Sequence, residues 1–151
     1  MKKIIFIFII ICLSKFSSAQ ETGLGVGIML GEPTGFSAKK WLSSTSAIDG
    51  GLAWSFVNDG SMQIHGDYLF HFPDFISKPK LTAYLGVGGR IKFKGNDKGE
   101  SSLGIRIPAG LTYIFPDAPF DAFVEVAPVF DLTPETRSSF NSAIGVRYYF
   151  K

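Results

Sequence analysis

Apolar and polar residues alternate along most of the chain with a period of two. From residue 20 onward, no stretch keeps apolar residues at i, i+3, i+4 and i+7 for three helical turns. Apolar positions instead recur at every second residue from end to end, which is typical of β-strands whose two faces meet different surroundings. The pattern therefore predicts an all-β protein.

Clusters of Gly, Pro, Asn, Asp and Ser interrupt this alternation seven times, and such clusters mark turns. Seven connections join eight strands. The predicted strands are 22–30, 34–42, 47–56, 61–70, 80–93, 102–114, 120–129 and 139–150. Most of them have the roughly nine to eleven residues that a tilted strand needs to cross a bilayer.

The two faces of these strands differ sharply in polarity. One face is apolar and nearly free of charge, with residues such as Leu24, Val26 and Ile28 in the first strand. The other face interleaves glycines with charged residues and His65. Its charged residues are Lys39, Asp49, Asp67, Arg90, Lys92, Arg106, Glu125 and Arg147.

An eight-stranded membrane barrel turns its apolar face to lipid and has a lumen only wide enough for packed side chains. The sequence thus predicts an eight-stranded antiparallel up-and-down transmembrane β-barrel with a side-chain-filled lumen. The polar face carries five cations against three anions. Because an unpaired buried ion costs several kcal/mol, we expect most of these charges to pair inside the barrel. The predicted lumen charge network comprises Lys39, Asp49, Asp67, Arg90, Arg106, Glu125 and Arg147, and no open pore is expected.

The N-terminal residues have the plan of a secretory signal peptide. Lys2 and Lys3 precede an apolar run over 4–13, and Ser17 and Ala19 provide the small residues that a signal peptidase reads. The apolar run is too short for a membrane-spanning helix, which needs about 18 residues or more. We predict that residues 1–19 are cleaved and that residues 20–151 form the barrel domain.

Cleavage changes the charge balance and the cysteine count. It removes three of the 15 basic residues and leaves 12 against 13 acidic ones, together with no cysteine, since the only one is Cys12. No basic stripe remains, so nucleic-acid binding is not expected. The glycines at 23, 25 and 27 have no helix pattern after them, and no cofactor is expected either.

The last predicted strand ends with the residue spacing of a barrel assembly signal, formed by Gly145, Tyr148 and Phe150. This glycine-x-x-aromatic-x-aromatic pattern resembles the signal by which outer-membrane barrels are recognised for assembly. Ala143 and Lys151 depart from it. The pattern favours an outer-membrane location, with membrane lipid and the barrel assembly machinery as partners.

Aromatic residues near the ends of the predicted strands are expected to form two girdles at the bilayer surfaces. Trp41 belongs to one predicted girdle and Trp54 to the other.

Several short motifs occur in a fixed order through residues 20–151. They are Gly25-Val26-Gly27, Gly31-Glu32-Pro33-Thr34-Gly35, Lys39 with Trp41-Leu42, Ala47-Ile48-Asp49, Trp54-Ser55-Phe56, Gly88-Gly89-Arg90-Ile91-Lys92-Phe93, Gly104-Ile105-Arg106-Ile107-Pro108-Ala109-Gly110-Leu111, Asp117-Ala118-Pro119, Glu125-Val126-Ala127-Pro128 and Ile144-Gly145-Val146-Arg147-Tyr148-Tyr149-Phe150. In this order the chain resembles a family of small, mostly uncharacterised outer-membrane β-barrels of Gram-negative bacteria and spirochaetes, a domain of unknown function. The resemblance implies the barrel and its location but no activity.

Two other functions stay open from the residues. A soluble periplasmic or secreted lipocalin-like barrel would turn the apolar face inward and bind an apolar ligand. A lipid-modifying enzyme would use His65 oriented by Asp67, with Ser37 or Ser55 as nucleophile. The polar face interleaved with glycine disfavours the first, and the lumen position of His65 and Asp67 disfavours the second.

No metal site is expected from the sequence. His65 and His71 are assigned to opposite faces and have no cysteine or Glu-x-x-His companion. A calcium site among the acidic residues from 117 to 135 is less favoured than solvated turn charges and a lumen-paired Glu125. The acidic residues concerned are Asp117, Asp121, Glu125, Asp131 and Glu135.

The favoured function is that of a structural or surface-interaction barrel. The apolar belt would insert the protein and the internal charges would hold it rigid. Loops on a rigid scaffold usually carry recognition, so the loops 57–60, 94–101 and 131–138 are predicted to meet any extracellular protein partner.

Overall fold

The computed structural model describes residues 23–57, 60–78, 80–95 and 99–150. The predicted signal peptide, residues 1–19, lies outside the described residues. The described residues form nine strands: β1 (Leu24–Glu32), β2 (Thr34–Trp41), β3 (Ser46–Ser55), β4 (Ser61–Phe72), β5 (Leu81–Lys94), β6 (Ser102–Arg106), β7 (Ala109–Ile114), β8 (Phe120–Thr133) and β9 (Arg137–Phe150). In the part of the chain that is described, no helix has the length and apolar character to cross a membrane.

The strands form one antiparallel up-and-down sheet that closes on itself. Each strand from β1 to β4 pairs with its successor, and β8 pairs with β9. The closure is made by β1 and β9, which share nine pairs from Leu24 opposite Phe150 to Glu32 opposite Ser142. A closed sheet has no free edge, so every strand has a partner on both sides.

Strands β6 and β7 are two halves of one wall of the barrel. Both pair with β5 on one side and with β8 on the other. Pro108 separates them because it has no N–H to donate to a ladder. Hydrogen bonds still cross the interruption, since Gly86 N donates to Pro108 O at 2.7 Å and Ile107 N donates to Pro128 O at 3.0 Å. Because β6 and β7 together fill one strand position between β5 and β8, the barrel has eight strand positions. The predicted eight-stranded fold is confirmed.

The largest differences from the predicted strand limits lie at the last hairpin. Strand β8 continues past Pro128 to Thr133, and β9 begins at Arg137 rather than at residue 139. Pro128 is tolerated inside β8 because it lies beside the interruption of the neighbouring wall, where Ile107 N reaches its carbonyl. The predicted loop 131–138 is consequently wrong in extent, and the connection is 134–136.

Side chains alternate between the two surfaces of the wall, as the period of two predicts. The outward face is apolar and exposed along every wall. Its members include Leu24, Val26, Ile28, Ile48, Leu52, Trp54, Leu85, Val87, Ile91, Phe93, Leu103, Ile105, Ile107, Leu111, Tyr113, Val124, Val126, Ile144 and Val146. A lipocalin-like barrel would have these residues inside, so the inverse arrangement is not the one that this chain adopts.

The inward face is polar with two small apolar clusters. One consists of Trp41, Ala47 and Tyr149, and the other of Met29, Ala53 and Phe123. Trp41 is buried in the first cluster, which corrects its predicted place in an aromatic girdle. It lies two residues after Lys39 on β2 and therefore shares the inward face.

Glycine supplies the room that these large inward side chains need. A Cβ on Gly25 would come within 2.6–3.0 Å of the Tyr149 ring, and a Cβ on Gly145 would come within 2.5 Å of the Phe123 ring. The glycines between charged residues are thus explained by crowding in a narrow lumen.

The two ends of the barrel carry different connections. The first and last described strands begin and end at the same rim, because Leu24 lies opposite Phe150. The ends of β2, β4 and β7 and the starts of β3, β5 and β8 are at this terminal rim. The opposite rim holds Pro33, the ends of β3, β5 and β8 and the starts of β4, β6 and β9.

Candidate functional site

The seven residues of the predicted lumen charge network all face the interior. They come from β2, β3, β4, β5, β6, β8 and β9, and each occupies an inward position of its strand. Lys39, Asp67, Arg90, Arg106, Glu125 and Arg147 are buried, and the side chain of Asp49 is 6% exposed. The structure arranges six of them in three tiers along the barrel, each built around one arginine, and Lys39 makes separate contacts.

The middle tier is built around Arg106. Its Nε donates to Oδ2 of Asp67 at 2.7 Å, and one of its terminal nitrogens pairs with Oε1 of Glu125. The hydroxyl of Tyr84 donates to the other Glu125 oxygen at 2.9 Å. Asp67 is on β4 and Glu125 on β8, so one guanidinium joins strands that are not neighbours.

The tier toward the terminal rim is built around Arg147. Its Nε and one terminal nitrogen donate to the two oxygens of Asp121 at 2.9 and 3.1 Å. Tyr149 donates to the same carboxylate at 2.6 Å, and the other terminal nitrogen lies 3.7 Å from Asp49. The guanidinium also lies 4.1 Å from the centre of the Phe123 ring, a cation–π distance. The bidentate pairing with Asp121 fixes the position of the Arg147 head group.

Lys39 has a different set of contacts from the arginines. Its Nζ lies 2.8 Å from Nε2 of His71 and 4.2 Å from the centre of the Trp41 ring. The His71 ring in turn lies 4.3 Å from the Trp41 ring and 5.4 Å from the Tyr84 ring, measured between centroids. A histidine and aromatic rings thus hold the Lys39 ammonium near the terminal rim.

The tier toward the opposite rim is built around Arg90. One terminal nitrogen donates to both oxygens of Asp131, at 2.7 and 2.9 Å. The other donates to Gln63 at 3.5 Å and to Asn141 at 3.4 Å. These partners belong to β4, β8 and β9, so this tier also spans the lumen.

Sequence reasoning missed two members of the network, Asp121 and Asp131. It treated them as solvated turn charges, yet Asp121 is 0% and Asp131 9% exposed. Both are separated from Glu125 by an even number of residues along β8, and this shared face was the available signal. With them, the polar face carries five anions, rather than three, against the five cations counted from the sequence.

His65 and His71 both face the lumen, which corrects their assignment to opposite faces. They lie six positions apart on β4, so the period of two places them on one side. His65 Nδ1 has no hydrogen-bond partner, so no carboxylate orients the ring through that nitrogen. The geometry that a serine hydrolase needs, with a histidine held between a carboxylate and a serine, is therefore not formed through Nδ1.

The residues of the predicted assembly signal lie on β9, beside β1. Phe150 is exposed on the outer surface, and Tyr148 contacts it and Phe120 with ring centroids 4.9 and 5.2 Å apart. Gly145 faces the Phe123 ring. Lys151, one of the two departures from the pattern, lies outside the described residues.

A polar cleft of about 360 Å³ opens at the rim opposite the termini. Lys92 and Lys94 of β5 line it together with Glu100, Pro134 and Glu135. Arg137 lies there as well and pairs with Glu135 at 3.2 Å, both side chains being exposed. The cleft adjoins two of the three loops predicted to meet a partner, those after β5 and β8.

Comparison with known proteins supports the fold. No family model and no curated protein sequence matches the chain. The N-terminal β-barrel domain of Pseudomonas aeruginosa OprF is similar in structure, with a TM-score of 0.70 and 16% identity over 86% of this chain and 98% of that domain. Neisserial surface protein A (NspA) is also similar, with a TM-score of 0.54 and 16% identity over 85% of this chain and 94% of that one.

Proposed function

We propose that the protein is a small outer-membrane β-barrel with a structural or surface-interaction role and a sealed lumen. The observation that carries the proposal is the set of arginine bridges between strands that are not neighbours. Arg106 joins β6 to β4, Arg90 joins β5 to β8 and β9, and Arg147 joins β9 to β3. Bonds of this kind cross the interior and obstruct a path for water.

The outer surface supports the membrane location. Large apolar side chains are exposed on every wall, including Phe36, Ile64 and Val126. Soluble monomers rarely expose apolar patches beyond a few hundred Å², whereas a belt of this kind is what lipid surrounds in a barrel. The structural likeness to the OprF barrel domain and to NspA also supports a membrane barrel. We also propose that the protein is a member of the uncharacterised barrel family that its sequence motifs resemble.

The two rims have different proposed partners. The C-terminal strand, with its exposed Phe150 beside Tyr148, is the segment proposed to be recognised by the barrel assembly machinery. The polar cleft at the opposite rim is the proposed binding site for an extracellular protein partner. Charged side chains line it, and it lies beside the connections after β5 and β8, where recognition is expected. We propose no catalytic activity.

Electrical conductance tests the sealed lumen. The purified protein inserted in a planar lipid bilayer is expected to give no steady conductance above that of the lipid alone, because paired arginines and carboxylates fill the interior. Insertion is checked in the same preparation by protection of the barrel from added protease. Steady ohmic channels from protease-protected protein would contradict the proposal.

A further inference from the structure

Three metal-ligating side chains meet inside the barrel between β3 and β4. Asp49 lies directly opposite Asp67 in the register, and His65 precedes Asp67 by two residues on the same inward face. One ligand atom from each of the three residues lies within 4.8 Å of the other two. Imidazole with two carboxylates is a donor set suited to divalent first-row transition metals.

Each of these residues also has a buried atom without a hydrogen-bond partner. The atoms are Oδ1 of Asp49, Oδ1 of Asp67 and Nδ1 of His65. All three groups are more than nine-tenths buried, since Asp67 is 0% and Asp49 6% exposed as a side chain and His65 is 8% exposed as a residue. A buried polar atom left without a hydrogen-bond partner is destabilising. Three neighbouring residues that each keep such an atom indicate a shared ligand.

The neighbouring arginines leave these atoms free. Nε of Arg106 donates to Oδ2 of Asp67 at 2.7 Å, and a terminal nitrogen of Arg147 lies 3.7 Å from Oδ2 of Asp49. The other oxygen of each carboxylate is therefore available. Two like charges directly opposite on a sheet destabilise it, and a cation bound between them would remove that repulsion.

Glycines make the space for two of the three ligands. A Cβ on Gly88 would collide with Oδ1 of Asp67, and a Cβ on Gly51 would lie 2.5 Å from Cε1 of His65. Both positions are directly across the ladder, since Asp67 pairs with Gly88 and His65 with Gly51. The free oxygen of Asp67 and the imidazole ring therefore occupy room that only glycine leaves open.

We propose that Asp49, His65 and Asp67 bind a divalent first-row transition metal ion in the lumen. Two bonds of about 2.0–2.1 Å to zinc span at most about 4.2 Å. Around a tetrahedral ion such donors lie closer still, about 3.3–3.6 Å apart, so binding draws together side chains whose ligand atoms lie within 4.8 Å of one another. A water or solvent molecule completes the coordination, because the protein supplies three ligands from one side.

Zinc titration of the untagged protein, extracted from membranes in detergent and purified without a metal resin, tests the proposal. Calorimetry is expected to show one Zn²⁺ per chain, and Co²⁺ is expected to give the visible absorption of a protein-bound ion. The titration is done on the folded barrel and on barrel refolded with the metal present, so that slow entry into the lumen does not hide the site. Absence of binding in both preparations would overturn the proposal.

Variants locate the binding. His65→Gln is expected to weaken zinc binding at least tenfold, while the matched variant His71→Gln, which alters the other lumen histidine, is expected to leave it within about twofold. Asp49→Asn provides a second reading, with the same loss expected as for His65→Gln. Each variant is first checked for the gel shift of a folded barrel. Zinc binding that is unchanged in both His65→Gln and Asp49→Asn would show a surface site and overturn the proposal.

Discussion

Arg106→Ala is expected to lower the free energy of unfolding by about 3–5 kcal/mol, the cost of leaving a buried ionic partner uncompensated. Arg106 is 1% exposed and contacts both Asp67 and Glu125, so its removal leaves two carboxylates in the lumen without their shared cation. The measurement is urea unfolding of the protein in lipid vesicles, followed by the fluorescence of Trp41 and Trp54.

The control is Arg137→Ala at the rim. Arg137 pairs with Glu135, but their side chains are 71% and 74% exposed, and exposed pairs contribute about 0–1 kcal/mol. Arg106→Ala is therefore expected to lower the free energy of unfolding clearly more than Arg137→Ala does. Equal and small effects would mean that the lumen charges are hydrated independently and that Arg106 does not hold the barrel together.

Val126→Arg is expected to destabilise the barrel by about 2–4 kcal/mol, the cost of an arginine on the lipid face at the bilayer midplane. Val126 is exposed on the outer surface near the middle of β8, which runs from Phe120 to Thr133. Unfolding from lipid vesicles, measured as for Arg106→Ala, gives the comparison with the wild-type chain.

Two further variants test whether the loss depends on the added charge and on its depth in the bilayer. Leu132→Arg places the same charge on the same strand near its end, where the expected loss is about 0–1 kcal/mol. Val126→Met changes the side chain without adding charge and should have little effect. An equal loss for arginine at 126 and at 132 would contradict a lipid-facing belt, because water around a soluble barrel does not vary with depth.

The fold was predictable because one physical rule governs the whole chain. A closed eight-stranded wall has lipid-type residues on one surface and packed side chains on the other, so a period of two is present in every strand. The interruption at Pro108 was not predicted, because the alternation continues unchanged across it from Arg106 to Gly110. The extension of β8 was missed because Pro128 resembles the end of a strand until its neighbour across the ladder is known.

The sequence predicts which side chains face the lumen, but not which of them contact one another. Alternation places Arg106 and Arg147 inside, but pairing depends on which strands meet across the interior, and the tilt and closure of the barrel determine that. Asp121 and Asp131 show the limit of composition-based reasoning, since acidic residues near turns are usually solvated. The free atoms of Asp49, His65 and Asp67 depend on side-chain geometry and have no counterpart in the sequence pattern.

Fractionation combined with heat-modifiability decides whether the closed barrel lies with its apolar face in the outer membrane. The expressed protein is separated into outer-membrane and soluble fractions, and its gel mobility in detergent is compared with and without boiling. We expect recovery with outer membranes and a shift in mobility on boiling, because the closed sheet resists detergent until heated. Recovery in the soluble periplasmic fraction without a shift would rule this arrangement out.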